Sequence, residues 1–223
     1  VFFGQGPDVV SYNPVTRTFD ISNHLYSDKN FYFLTFGGIP GKRISPMPEL
    51  SGTLPGVSTY DDFHYSETDK TNILKSGRDW FGTDFDANTL ATFSWDMDRV
   101  TTGSDIRVVT RLMAEAYQDA KFKVTYGTTA AVEYPILAIP QTSYGIKGRT
   151  RTDLMVRPAS STSRHTLQFE YLRGGTNYSI GRLDYFIATV NRSLAVDDKS
   201  MYFTATDGNG SSAFAITASA NKT

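Results

Sequence analysis

The 223-residue sequence contains no cysteine. Disulfide bonds, thiolate nucleophiles and cysteine-ligated zinc sites are therefore excluded together. Long apolar runs are also missing, since no uncharged stretch approaches the roughly 20 residues that a membrane-spanning helix needs. We expect a soluble domain that is stabilised by a buried core and has no membrane span.

Neither sign of charge is in excess. The sequence has 22 Lys and Arg against 23 Asp and Glu, and it contains no block of like charge. A groove that follows a phosphate backbone needs clustered basic residues. Nucleic acid is therefore not an expected partner, and we expect no bound cofactor.

Aromatic residues, in contrast, are abundant, with 13 Tyr, 15 Phe and 2 Trp. Aromatic and β-branched side chains favour strands, because they pack well on a pleated surface. Short strand patterns recur between turn-forming residues, and helix signals are scarce. The sequence predicts an all-β fold, a β-sandwich of antiparallel sheets with little helix, formed as one domain or as two subdomains.

Four segments carry the clearest strand patterns. Residues 166–171 and 122–126 alternate apolar and polar side chains, which is the period of two of a half-buried strand. Residues 31–36 (Phe-Tyr-Phe-Leu-Thr-Phe) and 183–190 are apolar on both faces. That pattern is typical of a central strand covered on both sides, and we expect both segments to lie inside a sheet.

Two segments leave the organisation open. Residues 105–118 fit both a helical and an alternating spacing. We favour a strand, which would form a hairpin with the next strand through Gln118 and Asp119. Residues 45–56, rich in Pro and Gly, are the best candidate for a linker or long loop. Residues 1–223 are interpreted as one non-catalytic region, with a subdivision near that loop left open.

Candidate catalytic groups are few. The three histidines, His24, His64 and His165, have neither metal-ligand spacing nor a serine-nucleophile motif beside them. The acidic run 61–69 would suit glycoside hydrolysis only if two of its carboxyl groups faced each other across a sugar. Its alternation predicts instead a strand with one solvated face. We therefore assign no catalytic residue.

Three further patterns are explained at least as well by structure as by function. Residues 207–211 resemble part of a calcium loop but lack its closing Glu, so we assign no metal ligand. Trp80 and Trp95 would suit a platform on which sugars stack, although packing in the core is the favoured interpretation. Glycosylation sequons occur at Asn177, Asn191 and Asn209.

The run 76–82, Ser-Gly-Arg-Asp-Trp-Phe-Gly, is the most unusual in composition. Two glycines bracket an arginine and two aromatic rings, and the planar guanidinium of Arg78 suits pairing with a carboxylate or stacking on a ring. The run fits a structural device at a bend in the sheet, with a partner-docking site as the functional alternative. Arg78 and Trp80 are therefore candidate site residues.

Several short strings occur in an informative order. They are residues 3–8, 25–28 with 32–35, 41–44, 67–69 with 72–82, and 183–185, followed by Arg192 and Leu194. In this order they resemble the β-rich region before the catalytic domain of the PorU-type sortases of the type IX secretion system, which are gingipain-like cysteine peptidases. Asp184 and Tyr185, from the last long string, join Arg78 and Trp80 as candidate structural or docking residues.

The resemblance implies a protein of the bacterial outer-membrane surface that removes C-terminal sorting domains from secreted cargo and helps attach the cargo to anionic lipopolysaccharide. That chemistry uses a Cys and a His of a following domain, whereas this chain has no cysteine. The implied role is therefore that of a non-enzymatic scaffold. Its implied partners are the downstream peptidase domain, outer-membrane attachment-complex proteins and secreted cargo.

Two expectations accompany this interpretation. The first residues include no initiator Met and no signal-type apolar run, so we expect the chain to begin inside a longer precursor. A carbohydrate-binding or adhesin-like β-sandwich is the alternative, and its support is limited to Trp80, Trp95 and the Tyr-rich strands.

Overall fold

The computed structural model describes residues 6–24, 26–38, 54, 56–75, 77, 79–142, 144–175, 178–196, 203 and 213–218. Within these ranges the protein has strands and no helix. The strands are β1 (Val9–Asn13), β2 (Thr18–Ser22), β3 (Gly56–Val57), β4 (Thr59–Glu67), β5 (Thr83–Phe85), β6 (Leu90–Asp96), β7 (Asp105–Ala116), β8 (Ala120–Tyr126), β9 (Val132–Ile136), β10 (Arg149–Pro158), β11 (Arg164–Leu172), β12 (Ser179–Ser193), β13 (Ala195–Val196), β14 (Ala213–Phe214) and β15 (Thr217–Ala218). The predicted all-β class is confirmed.

Two antiparallel sheets form the body of the fold. One has the order β10-β7-β12-β4, with β5 also paired to β12, and the other has the order β6-β11-β8-β9. Strands β1 and β2 form a separate hairpin, while β13 with β15 and β14 with β3 form short parallel pairs. No helix in the described part of the chain is long and apolar enough to cross a membrane.

The core lies between the two large sheets. Strand β11 buries Leu167 and Phe169 completely and leaves Gln168 exposed, as the alternating pattern predicts. Strand β8 likewise buries alternate residues, and β12 is the covered central strand that residues 183–190 predict. Side chains from both sheets form one continuous apolar cluster, which makes the fold a sandwich.

The predicted hairpin between residues 105–118 and the next strand is wrong, although the strand itself is confirmed as β7. Strand β7 pairs with β10 and β12, whereas β8 pairs with β9 and β11 in the opposite sheet. Residues 117–119 therefore carry the chain across the core from one sheet to the other. Alternation could not distinguish the two connections, because both of them place the same side chains in the core.

The prediction of a central strand at residues 31–36 is also wrong. These residues form no strand, and Phe33 and Phe36 are 97% and 91% exposed. The composition shows only that the segment suits a sheet, whereas a strand also needs neighbours that pair with its backbone. Within the described part of the chain, the central positions of the larger sheet belong to β7 and β12.

The β1–β2 hairpin covers the outer face of β4. Phe19 packs on Phe63 with ring centroids 4.5 Å apart. On the inner face, His64 stacks on Trp95 at 4.9 Å. The predicted strand is confirmed as β4, but none of its residues is fully exposed, because the hairpin covers part of the face that was expected to be solvated. Trp95 is buried, as core packing predicts, and does not form a sugar platform.

Arginines of β10 join the two sheets along one side of the sandwich. Arg149 Nε donates to the carbonyl of Ala138 at 3.0 Å, and Arg151 Nη1 donates to that of Pro135 at 2.7 Å. These bonds satisfy carbonyls at and beyond the end of β9, the outer strand of the other sheet. Charged side chains on an edge strand also disfavour pairing with a further strand.

Several sequence patterns lie partly or wholly outside the described residues. These are the calcium-like run 207–211, most of the 45–56 loop, and the sequon asparagines 177 and 209. Asn191 is described, and its amide donates to Asp61 at 3.0 Å and to the carbonyl of Tyr60 at 3.3 Å. An amide held in this way is a poor acceptor for a glycan.

Candidate functional site: a cleft beside a β-bulge

A β-bulge in β12 forms the floor of the candidate site. Leu183 pairs with Leu112 of β7 and Phe186 pairs with Thr110, so two residues of β12 lie opposite Arg111. Those residues are Asp184 and Tyr185. Bulges re-aim side chains and occur often beside functional sites. This bulge presents an acidic and an aromatic residue side by side.

The junction of two other strands lies next to the bulge. Strand β4 ends at Glu67, which pairs with Tyr185, and β5 begins at Thr83, which pairs with Leu183. Asp184 therefore lies where one partner strand ends and the other begins. Its side chain is only 6% exposed and accepts a hydrogen bond from Arg111.

The connection from β4 to β5 folds back over this junction. Thr71 and Phe81 exchange two backbone hydrogen bonds of 2.9 Å, which closes the loop at its base. A Cβ atom on Gly82 would lie 2.3 Å from the carbonyl oxygen of Thr68, so this close approach requires glycine. The loop between these residues is thus fixed to the sheet at its base.

The same loop places Asp79 and Trp80, which belong to the unusual run 76–82, beside the bulge. Asp79 accepts a hydrogen bond of 2.9 Å from Arg111, so Arg111 bridges the loop and the bulge. Trp80 is 41% exposed. Arg78 lies outside the described residues. Three of the four candidate residues, Trp80, Asp184 and Tyr185, thus line one cleft.

The cleft is an open depression of about 660 Å³. The hairpin forms one wall, where the amide of Asn23 donates to the Tyr65 hydroxyl at 3.1 Å and also to Glu67. The residues that line the cleft and matter for its chemistry are Asn23, Tyr65, Glu67, Asp69, Trp80, Arg111, Asp184 and Tyr185. Its walls are therefore aromatic and its floor is charged.

Negative charge dominates the floor. Oxygens of Glu67, Asp69 and Asp184 lie within 4.8 Å of one another. Burial raises the pKa of Glu67, and the charges of Asp69 and Asp184 add to that effect, whereas the amide of Asn23 opposes it. The cleft is thus most readily neutralised by a proton or by an approaching positive group.

Asp184 and Arg111 form the central ion pair. Burial raises the pKa of Asp184 and outweighs the hydrogen bond from Arg111, which acts in the opposite direction. Burial alone would lower the pKa of Arg111, but its bonds to Asp184 and Asp79 raise it above the usual value. Arg111 therefore stays charged and holds the bulge and the loop together.

Carboxylate oxygens are the ligands that hard cations prefer, and Glu67, Asp69 and Asp184 are the residues that would hold one. Asp184 is already engaged by Arg111, so the geometry assigns no metal to the cleft. The glycosidase interpretation gains no support either. Asp61, one of the carboxylates that this interpretation relied on, is bonded to Arg17 outside the cleft.

Replacing Glu67 by glutamine is expected to stabilise the protein at neutral pH. Because the pKa of Glu67 is raised on folding, the native state binds more protons than the unfolded state between pH 4.5, the ordinary value, and the raised one. Wild-type stability therefore falls as pH rises through this window. The Glu67→Gln variant avoids that loss, and we expect it to gain about 0.2–1 kcal/mol at pH 7, the range of charged cross-strand pairs. Urea titrations at pH 4 and pH 7 measure the difference.

Glu133 provides a control of opposite sign. A hydrogen bond from Lys121 lowers its pKa, so Glu133→Gln is expected to reduce stability slightly at neutral pH. A Glu67→Gln variant that is less stable than wild type at pH 7 would show that Asn23 and Arg111 outweigh the repulsion between carboxylates.

Sequence reasoning missed Arg111, the residue that connects the cleft. It also missed the proximity of Glu67 and Asp69 to Asp184, which depends on strand pairing between distant parts of the chain. One signal was present, because Leu183 and Phe186 are both apolar and interrupt the alternation that continues at Ala188. That break in period indicates a bulge.

Comparison with known proteins shows a likeness of fold. Neither a protein-family model nor a curated protein matches the chain. The crystal structure of dimeric latent PorU from Porphyromonas gingivalis is similar over 91% of this chain, with a TM-score of 0.68 and 18% sequence identity. The likeness is one of fold. The chain spans 19% of the PorU chain.

Proposed function

We propose that the chain is a non-catalytic accessory region of a type IX secretion sortase at the bacterial cell surface. The observation that carries the proposal is the fold, which matches part of PorU over 91% of this chain. Without cysteine, the chain is not itself a cysteine peptidase. Its role is to support a gingipain-like peptidase domain on the same polypeptide and to dock partner proteins.

The position of the sortase-like strings supports the same proposal. Residues 67–69 begin at the last residue of β4, the described residues of the string 72–82 lie in the loop from β4 to β5, and residues 183–185 contain the bulge. Strings that are separate in the sequence thus meet at one surface. Arg192 lies elsewhere and donates to Asp62 and to the backbone of Asp98, a structural role.

The chemistry of the cleft suits docking better than bond breaking. An exposed Trp beside carboxylates resembles the aromatic anchors and charged partners that dominate protein interfaces. Among the described residues that line the cleft, Arg111 is the one Lys or Arg side chain, and it lies beside the carboxylates of Glu67, Asp69 and Asp184. We propose that this cleft receives a basic loop of an attachment-complex protein or of the peptidase domain.

Binding measurements test this proposal. The chain is titrated with purified attachment-complex proteins and with the peptidase domain, and Trp80→Ala is expected to weaken the complex about tenfold or more. Val15→Ala is the control, since Val15 is 90% exposed at the turn of the hairpin, away from the cleft. Equal affinities of these two variants, or a parent gene that encodes no domain with a Cys and His pair, would overturn the proposal.

A carbohydrate-binding sandwich is the second candidate, and the exposure of Trp80 is the observation that favours it. Burial of Trp95 removes one of the three features that originally supported it. Glycan binding that is lost in Trp80→Ala, without binding to any sortase partner, would favour this candidate over the first.

A further inference from the structure

The outer strands of the two large sheets differ in how their edges are protected. The ends of one sheet are β4 and β10, and the ends of the other are β6 and β9. Arginines of β10 join β10 to the region of β9, which closes one side of the sandwich. On the opposite side, the Asp62 carboxylate accepts a hydrogen bond of 2.8 Å from the backbone N–H of Phe63, within the outer strand β4. Strand β6 pairs with β11 and with no other strand of the described residues.

Hydrogen bonds beyond both ends of β6 identify the backbone groups on its open edge. The N–H of Met97 donates to the carbonyl of Ser163, and the N–H of Tyr171 donates to that of Thr89, both at 2.8 Å. These bonds continue the register between β6 and β11, in which residues that bond to the partner strand alternate with residues that face away. Odd-numbered residues of β6 therefore face β11. The residues whose N–H and C=O groups point to the open edge are Leu90, Thr92, Ser94 and Asp96.

The sequence of β6 does not protect this edge from a further strand. Natural sheets protect their edges with charged side chains, proline or β-bulges. Residues 90–95 contain no charged residue and no proline, and the pairing with β11 has one unbroken register. Asp96, at the end of the strand, is already paired with Arg164 at 3.0 Å. An uncharged edge of this kind is a template for another strand.

The core side of β6 is also incompletely covered. Ala91 and Phe93 point inward and pack against the apolar core, but both remain only partly buried. A strand added at the open edge would place its own inward-facing side chains beside them. Pairing at this edge would therefore bury apolar surface as well as satisfy backbone groups.

A second copy of β6 fits the edge. Antiparallel pairing centred on Phe93 aligns all seven residues of the strand, whereas any other centre leaves some of them unpaired. It places Thr92 opposite Ser94 of the second copy, and the two Phe93 rings opposite each other. Hydroxyl pairs and aromatic pairs both stabilise neighbouring strands. The two Asp96 carboxylates lie at opposite ends of the paired region, so like charges do not meet.

We propose that β6 is a self-association edge, through which two copies of the chain pair antiparallel about Phe93. The two four-stranded sheets then form one continuous sheet of eight strands, four from each copy. The inference does not depend on the proposed function. The seven paired residues of each copy extend over about 24 Å, and a contact of this size is typical of weak, reversible association.

Sedimentation and hydrogen exchange of the 223-residue chain test the inference. Between about 10 μM and about 1 mM, the sedimentation coefficient is expected to rise from that of a monomer towards that of a dimer. Over the same range, exchange of the amides of residues 92, 94 and 96 is expected to slow by about tenfold. The amides of residues 91, 93 and 95 bond to β11 and are expected to stay protected throughout, so they serve as an internal control.

Two substitutions of Thr92 separate backbone pairing from side-chain contact. Thr92→Pro removes an N–H that faces the open edge, a position at which an edge strand tolerates proline. The symmetric dimer would lose two hydrogen bonds, so we expect its dissociation constant to rise by about 30-fold or more. Thr92→Ala keeps the N–H and is expected to change it by less than about threefold. Protection of the core amide of Phe169 shows in each variant that the sandwich is intact.

Introduced cysteines determine the register, because the chain has none of its own. Residues in a bonded antiparallel pair have Cα atoms about 5.5 Å apart, within the range of a disulfide. A mixture of Thr92→Cys and Ser94→Cys chains is therefore expected to form a disulfide-linked heterodimer under mild oxidation. Each variant alone is expected to remain uncross-linked.

Four results would overturn the inference. The first is a chain that stays monomeric up to about 1 mM. The second is strong protection of amides 92, 94 and 96 at the lowest concentration, which would mean that another segment of the same chain covers the edge. The third is an equal effect of Thr92→Pro and Thr92→Ala. The fourth is cross-linking of either cysteine variant by itself, which would exclude pairing about Phe93.

Discussion

The variant Phe186→Ala is expected to lose about 4 kcal/mol of unfolding free energy, a large part of the stability of a typical domain. Phe186 belongs to β12 and is completely buried. Its ring lies 5.3 Å from that of Phe93 and 6.0 Å from that of Phe169, both in the opposite sheet. Removal of the ring leaves a cavity at the joint between the two sheets.

Urea unfolding of Phe186→Ala and Phe36→Ala provides the measurement. Both substitutions remove the same atoms, but Phe36 is 91% exposed and its loss is expected to change stability by less than about 0.5 kcal/mol. A loss in Phe36→Ala as large as that in Phe186→Ala would mean that residues 31–36 are packed in the free chain. An equally small loss in both variants would mean that the sheets do not meet at Phe186.

The variant Asp61→Ala is expected to lose about 3 kcal/mol. The buried carboxylate accepts hydrogen bonds from Tyr12 at 2.6 Å, Arg17 Nε at 2.9 Å and Asn191 at 3.0 Å. Alanine removes the acceptor for all three donors, and those in the hairpin lose their attachment to β4. A two-stranded hairpin is marginal by itself, so hydrogen exchange in residues 9–22 should accelerate as well.

The pH dependence of Asp61→Ala has a definite sign. Burial alone would raise the pKa of Asp61, but the bonds from Arg17, Tyr12 and Asn191 outweigh it and lower the pKa below 3.8. The stabilising contribution is therefore complete above pH 3.8 and is lost as the pH falls through the pKa of the folded state. The difference between wild type and variant should shrink over that range.

Asp96→Ala is the matched control for Asp61→Ala. Asp96 pairs with Arg164 at 3.0 Å, but both side chains are well exposed. Exposed ion pairs contribute about 0–1 kcal/mol, so this variant should remain close to wild type. A loss in Asp61→Ala no larger than that in Asp96→Ala would contradict the role of Asp61 as the anchor of the hairpin.

The strands were the most predictable part of the fold. Alternation at residues 122–126 and 166–171 reflects burial of one face of the strand. Because that burial stabilises an extended conformation in one register, the pattern predicts the strand correctly. The same argument gave a wrong prediction of a strand at residues 31–36. Side-chain composition shows which side chains a segment could bury, but it does not show whether a neighbouring strand covers them. The connection after β7 was unpredictable for a related reason, since a hairpin and a crossing bury the same side chains.

The cleft was predictable only in part. Trp80, Asp184 and Tyr185 were identified through their unusual strings, and the structure brings them together. Arg111 has no distinguishing feature in the sequence, because it is one polar residue in an alternating strand. Its role follows from the pairing of β7 with β12, which depends on contacts between distant parts of the chain.

The bulge also indicates how the cleft can be gained or lost without disturbing the sandwich. Leu183 and Phe186 both point into the core although two residues separate them, so deletion of Tyr185 would restore regular pairing and keep every later side chain of β12 on its present face. Insertion of one residue into an ordinary strand is the reverse event. A single codon thus separates a sandwich without the cleft from one that carries it, and relatives that lack this codon should retain the fold and lose the cleft.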